Sequence, residues 1–399
     1  MKYPPVILNT NGLKNYIQGK LWFTYKDLDS FEKIKDSIEP GSLVSLYSQH
    51  KHFLGQGYFN SHSYYSLKLL TKKEISIDIS FFKETFKLAL EFRERFFPGE
   101  SSFRLIHSEG DHLPGLIIDL FDKVGVIQIH TLGMERLKSI IIDALLQIRP
   151  LESIVLKNDF DKRKEEKLPL YVDFYLKEPQ DPYPIEMDGI KFLIPIIKGQ
   201  KTGFFLDQRE NRRFLSRISH GLIIMDGFAY IGGFSFYALK GGAKRVYLLE
   251  RSGYALDIAL EIAKLNGWKD QVVPVEGDVF QLLKNPVAKA NLLILDPPAF
   301  IKSKKDYFQG YKKYKELYSL GLQYFKAQNG FLFLFSCSHF LKLQELLLFL
   351  KESLSKCNFS AKIFQVFHQS PDHPINPCVE ETEYLKGVAL EFSHLHAPL

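Results

Sequence analysis

Four acidic residues, Asp226, Glu250, Asp278 and Asp296, each close an apolar run: LIIMD (222–226), RVYLLE (245–250), QVVPVEGD (271–278) and NLLILD (291–296). Helical stretches lie between these runs, for example YALDIALEIAKLNG at 254–267. Strand and helix in alternation imply a doubly wound parallel sheet, and ligands of such sheets bind outside the carboxyl ends of the strands, where these acids fall. The first run leads into DGFAYIGGFSFYALKGGA (226–243), so a loop carrying Gly227, Gly232 and Gly233 opens a helix. Glycines let backbone approach a ligand closely, and a helix N-terminus favours an anionic group. The spacing is not GxGxxG, and tight strand-to-helix packing also calls for glycine. Glu250 is placed to accept from both hydroxyls of a ribose and Asp278 from an adenine amine. Each acid alone could equally cap a helix. Together, in strand order, they describe a nucleoside pocket, with NAD as the competing cofactor.

The fourth run argues against NAD. In LDPPAF (295–300), Pro297 and Pro298 fix the turn after the strand and leave carbonyls to orient a planar group, and Phe300 offers a face for a base. The alternative is a simple turn. In NGFLFLFSCSHF (329–340), Cys337 follows a buried strand. A cysteine at a strand end is commonly a small core residue. Here the strand should be the lateral neighbour of the Asp-Pro-Pro strand, which turns Cys337 toward the cleft of Asp296 and Pro297.

Residues 301–315, IKSKKDYFQGYKKYK, hold Lys302, Lys304, Lys305, Lys312, Lys313 and Lys315 against one aspartate, with four aromatics interleaved. Phosphate contacts plus base stacking suit that composition, and a solvated helix face is the alternative. The chain's net charge of +6 implies little by itself. Cys337, Cys357 and Cys378 form neither a disulfide framework nor a CxxC metal site, and paired histidines such as His50/His52 and His394/His396 lack companions. No metal is expected.

The elements that would hold these residues fall into three domains. Residues 1–74 alternate short apolar and aromatic stretches with turns, a β-rich pattern in which ten lysines face six acids. Residues 75–188 open with an amphipathic helix over 78–97, stopped by Pro98-Gly99, followed by two strand-like runs and a helix over about 135–148. Within them DKRKEEK (161–167) reads as an exposed loop and EPQDPYPIE (178–186) as a linker. Residues 189–399 carry the alternating sheet. The 399 residues hold no apolar run near the roughly 20 needed to span a bilayer. The start lacks a secretory h-region, and a cytoplasmic protein with no membrane partner is expected.

Five ordered segments, GQKTGFFLDQRENR (199–212), DGFAYIGGFSFYAL (226–239), LDPPAF with trailing KSKK, FSCS (335–338) and ETEYLKG (381–387), resemble the 23S ribosomal RNA cytosine-5 methyltransferases that carry an N-terminal PUA domain. The similarity extends to GSLVSLYSQHKHFLGQGYFN (41–60) and SEGDHLPGLIIDLF (108–121), and so spans nearly the whole chain. It implies an α/β fold: a Rossmann-like class I methyltransferase domain, an N-terminal PUA-like domain and a middle α/β domain. It also implies S-adenosylmethionine as cofactor, held by Gln208, Arg212, Phe228, Tyr230, Gly232, Glu250, Asp278 and Asp296. Cys337 is the implied nucleophile, with Asp296 orienting or protonating the cytosine. Lys302, Lys304, Lys305, Lys312 and Lys313 would contact 23S RNA, and a homodimer is a further expected partner. Two positions depart from the family: Gly19-Lys20-Leu21-Trp22-Phe23 replaces His-Pro-Trp-Val-Phe, and Glu250 stands where aspartate is usual. Other RNA cytosine-5 enzymes often carry a second cysteine where this chain has Ala299. Competing functions are methylation of a nucleobase nitrogen, which needs no cysteine, and a non-catalytic RNA-binding assembly factor.

Overall fold

The computed structural model describes residues 3–326, 328–355 and 360–393, which form two compact units. One takes in the chain up to Met187 together with Ile194–Leu206 and Pro371–Thr382; the other takes Asp188–Leu193, Asp207–Ser370 and the chain from Glu383.

The first unit contains two five-stranded sheets. Strands β1 (Pro5–Leu8), β2 (Trp22–Phe23), β3 (Ser42–Ser48), β4 (Phe53–Phe59) and β5 (Leu67–Thr71) pair in the order β1-β3-β4-β5-β2. Their inward residues Val6, Leu8, Phe23, Val44, Leu46, Phe59 and Leu67 are fully buried, the two-residue alternation that sheets impose. Strands β6 (Phe103–His107), β7 (Leu116–Phe121), β8 (Val124–Ile129), β9 (Ser153–Asn158) and β10 (Tyr171–Leu176) pair in the order β10-β9-β8-β7-β6. The helix Ile79–Phe96 covers this sheet with Phe82, Phe86 and Ala89 buried, and Asp78 caps it by accepting from the backbone N–H groups of Ser80 and Phe81. The helix expected over about 135–148 is split into Leu132–Arg136 and Lys138–Ile148.

The charged run at 161–167 is not a freely solvated loop. It forms a 3-10 turn, Asp161–Glu166, in which Arg163 and Glu166 are buried. Arg163 pairs with Glu135 at 3.0 Å, and Glu166 accepts from Lys68 Nζ at 3.0 Å and Asn60 Nδ2 at 2.7 Å. Burial of those charges is tolerated because each meets partners. The second half of the segment read as a linker is strand β11 (Tyr183–Met187), and β12 (Ile190–Ile194) follows it along the chain.

The second unit is built on one seven-stranded sheet: β13 (Ile223–Gly227), β14 (Arg245–Glu250), β15 (Val272–Glu276), β16 (Leu292–Leu295), β17 (Gly330–Ser336), β18 (Ala361–His368) and β19 (Lys386–Phe392). Its order is β15-β14-β13-β16-β17-β19-β18; the first five pair in parallel, and β19 alone runs the other way, pairing antiparallel with both β17 and β18. Pro274 lies in the edge strand β15, where a missing N–H costs least. Strand order reverses between β13 and β16, so the crevice for a ligand opens at their carboxyl ends. Helix Gly253–Leu265 starts where Ser252 Oγ accepts from Ala255 N–H and ends before Gly267, whose φ of +75° a side chain would oppose.

Candidate active site at the strand ends of the second unit

Asp226, fully buried next to the last residue of β13, ties the strand to the next helix, Gly233–Lys240: its carboxylate accepts from Ser235 N–H at 3.2 Å and Ser235 Oγ–H at 2.8 Å. Burial pushes this carboxyl up to about 7 against the pull of Ser235 and Arg212. In the intervening loop Phe228 and Tyr230 hold left-handed backbone at φ 65° and 51°, unusual for aromatic residues. Two acceptors over-determine that shape. Leu249 carbonyl takes the Phe228 N–H at 2.9 Å, and Glu250 Oε2 takes the Tyr230 N–H at 2.9 Å. Gly232 is also left-handed at φ +82°, and a Cβ there would sit 2.8 Å from the Phe236 ring.

Gly233 serves a close approach. A Cβ on it would lie 2.9 Å from Cζ and Nε of Arg212, so the bare backbone lets a guanidinium rest at the helix start. Arg212 is buried, its Cζ 5.6 Å from the Phe234 ring centroid. Burial lowers its pKa, against Tyr237, Asp207, Asp296 and Asp226. A desolvated cation beside a helix N-terminus is suited to receive a carboxylate. Glu250 spends Oε1 on the N–H groups of Arg251 and Ser252 at 2.8 and 2.9 Å, which fixes its orientation and leaves further acceptor capacity on both oxygens. Asp278 is exposed and caps the helix Val279–Lys284 through Gln281 N–H at 3.2 Å. Near these acids the half-buried rings of Phe228, Phe280 and Phe300 stand 6.0 to 6.5 Å apart and form an apolar wall for a planar base. Phe280 escaped the sequence reading; its signal is its place two residues after Asp278.

Strand β17 pairs parallel with β16, Leu295 opposite Leu334, so the two following segments emerge side by side as expected. Cys337 Sγ lies 3.8 Å from the Pro297 carbonyl oxygen. Asp296 keeps some exposed surface, yet desolvation is the largest influence on its carboxyl; with the neighbouring Asp207 it pushes the group up to about 7, against Arg212 and the Gln208 amide. Gln208 is buried, its Oε1 accepting from Asn211 Nδ2 at 2.6 Å. Tyr314 staples the two segments: its hydroxyl accepts from Phe300 N–H at 3.3 Å and bonds Ser338 Oγ at 2.7 Å, while Ser338 Oγ also accepts from Ile301 N–H at 3.1 Å. Burial, reinforced by Cys337, pushes the Tyr314 phenol up to about 12. Neither Tyr314 nor Asp207 was singled out by the sequence.

Helix Tyr307–Tyr324 passes over the Asp-Pro-Pro segment so closely that a Cβ on Gly310 would meet the Phe300 carbonyl oxygen at 2.5 Å. This anchors the lysine cluster beside the Asp-Pro-Pro segment. Lys302, Lys304, Lys305, Lys312 and Lys313 are exposed, and Lys315 Nζ lies 5.3 Å from the Tyr311 ring. Phe308, between the lysine pairs, is 84% exposed. Cys378 belongs to the first unit, against Gly19; Cys357 and the pair His394/His396 lie outside the described residues. Among the described residues no group of three or more His, Cys, Asp or Glu is arranged to hold a metal, and no helix is long and apolar enough to cross a membrane.

A doubly wound, mostly parallel sheet with acids and a glycine-bearing loop at its switch point, together with a β-rich N-terminal domain, points to a class: S-adenosylmethionine-dependent methyltransferases carrying a PUA-like domain. Family models match as a PUA-like domain over residues 6–72 and as an S-adenosylmethionine-dependent methyltransferase over residues 164–323. The chain belongs to the ribosomal RNA large subunit methyltransferase I family. It is 33% identical to the Aeromonas salmonicida protein of that name over 94% of this chain and 96% of the relative, and 34% identical to the Pseudoalteromonas translucida one over 90% and 92%. The fold matches the solved chain SMU.776, described as a methyltransferase complexed with SAH, at a TM-score of 0.82 and 21% identity, covering 97% of this chain and all of that one.

Proposed function

We propose that this enzyme transfers a methyl group to carbon 5 of a cytosine in 23S ribosomal RNA through a covalent adduct with Cys337. The observation that carries this reading is the 3.8 Å approach of Cys337 Sγ to the Pro297 carbonyl, one residue from Asp296. Cytosine C5 is a poor nucleophile until a thiolate adds at C6 and makes the ring enamine-like. Cys337 makes that addition. Negative charge then develops around N3, where Asp296, with a carboxyl near half protonation at pH 7, donates its proton. S-adenosylmethionine supplies the electrophilic methyl group. After transfer the Asp296 carboxylate takes the N3 proton back, and loss of the C5 proton to a base restores the C5–C6 double bond and expels the thiolate; Ala299 is not that base.

The buried cation and helix start fit the methionyl carboxylate, with Arg212 as its partner and Gln208 beside it. Glu250 takes the ribose hydroxyls, Asp278 the adenine amine, and the loop of Phe228, Tyr230 and Gly232 the backbone contacts. The target base must leave its stack, and Lys302, Lys304, Lys305, Lys312 and Lys313 hold the flanking phosphates. The decisive experiment incubates the full chain with labelled S-adenosylmethionine and unmodified 23S RNA and maps the product by mass. Cys337→Ala should abolish transfer while leaving cofactor binding intact. Full activity in that variant would replace the adduct mechanism with methylation of a ring or exocyclic nitrogen.

A further inference from the structure

Lys386 has no part in the mechanism above, yet it is a buried cation at the nucleophile's strand end. Antiparallel pairing sets it directly opposite Ser336, the residue before Cys337. It is 5% exposed, and its Nζ donates to the carbonyls of Ser338 and Leu341, both at 2.7 Å. One ammonium thus closes the turn from 337 to 341. A lysine rarely goes into a core without a negative partner. Neither carbonyl carries a full charge, and the Cys337 thiolate is the group that draws the ammonium most strongly toward its charged form.

We infer that Lys386 is a positioning residue that sets the turn carrying Cys337 and, through its charge, holds that thiol as the reactive thiolate. The inference rests on the proposed role of Cys337 as nucleophile. Other groups bear on the same place. Tyr314 and Tyr318, from the helix Tyr307–Tyr324, stay protonated because burial pushes both phenols up. Asp296 follows β16, the strand beside β17, and Lys342, Glu345 and Glu383 contribute around Lys386. Among these, Lys386 is the buried cation fixed to the cysteine's own turn. Burial brings its ammonium down to about 8, so its charge is present across neutral pH and fades above that.

The test reads the thiol without RNA or methyl transfer, so its failure is separable from failure of the adduct mechanism. Iodoacetamide alkylation of the full chain is followed by peptide mass from pH 6 to 10, with exposed Cys378 as the internal reference. In wild type, Cys337 should reach half-maximal rate at lower pH than Cys378; an equal or higher midpoint overturns the inference. Lys386→Met should raise the Cys337 midpoint by about one unit, roughly tenfold slower alkylation at pH 7, and leave Cys378 unchanged. Lys386→Gln, which keeps a donor for the two carbonyls, should show the same shift, and Lys386→Arg should restore the wild-type profile. A folded Met or Gln variant with a wild-type Cys337 profile also overturns it.

Discussion

Burial holds the Asp226 carboxyl near 7 against an ordinary value of 3.8, which makes the stability of the second unit depend on pH in a defined direction. An acid whose folded value is raised binds its proton more tightly folded than unfolded. Its destabilising contribution is absent below the unfolded value, grows between about pH 4 and pH 7, and is constant above. Asp226→Asn removes the ionisation and keeps an acceptor for Ser235 N–H and Oγ–H. Roughly three units at about 1.4 kcal/mol each set a ceiling of about 4 kcal/mol. The pull of Ser235 and Arg212 is already contained in that value, and relaxation of a buried site reduces the effect to about 1–3 kcal/mol. Trp268, stacked on Phe236 at 6.1 Å, reports this unit, and Trp22→Phe removes the only other tryptophan. Urea unfolding of both proteins in that background, from pH 4.5 to pH 8, should show the Asn variant gaining on wild type as pH rises and levelling off beyond about 7. The amide's own fit sets the offset; the slope carries the prediction. A difference that is flat or shrinks with pH would refute the burial argument.

Asp296→Asn should remove the proton donor: at pH 6 transfer falls by about 10²–10⁴-fold, and the wild-type decline as pH rises through about 7 disappears from the pH–rate profile. Arg212→Met should weaken S-adenosylmethionine binding about 10–100-fold by calorimetry, the worth of a charge-assisted pair; an unchanged Kd would remove Arg212 from the pocket. Replacing Lys304, Lys305 and Lys312 by Gln should lower the salt slope of RNA binding by about 2, at about 0.7 per single-strand phosphate, with cofactor affinity unaltered. Phe308→Ala should cost about 1–3 kcal/mol of RNA affinity without changing that slope, because stacking carries no counterion release.

The acids at strand ends could be placed from the sequence because each parallel strand is a short apolar run and the acid opens the segment that leads to the next helix, so their place follows from local pattern. Cys337 beside Pro297 was legible for a topological reason: a strand that follows its neighbour through one helix lies next to it. Lys386 was not. Its place opposite Ser336 depends on the antiparallel register of β19 on β17, and only that pairing brings residues 50 apart in sequence together. The same holds for Asp207, which accepts from Tyr384 Oη–H at 2.6 Å across more than 170 residues. Arg163 and Glu166 misled because a charged run reads as solvated until Lys68, Asn60 and Glu135 are known to face it.

Two carboxyls near 7 at adjacent strand ends invite one explanation, yet their surroundings separate them. Asp226 is engaged by a backbone N–H and a hydroxyl of the same helix start, the bonds of a structural tie, and its protonation state alters stability first. Asp296 owes part of its shift to a like charge, Asp207, and sits one residue from the carbonyl that Cys337 approaches. Like-charge pairs and burial together are the arrangement by which sites keep an acid protonated near neutrality. The Asn variants should therefore diverge. With cofactor saturating, Asp226→Asn should keep methyl transfer within a few fold of wild type, whereas Asp296→Asn should lose it while still binding cofactor and RNA. Equal losses in both would mean that the raised carboxyls act as one coupled group, and that the proton delivered to the cytosine cannot be assigned to Asp296 alone.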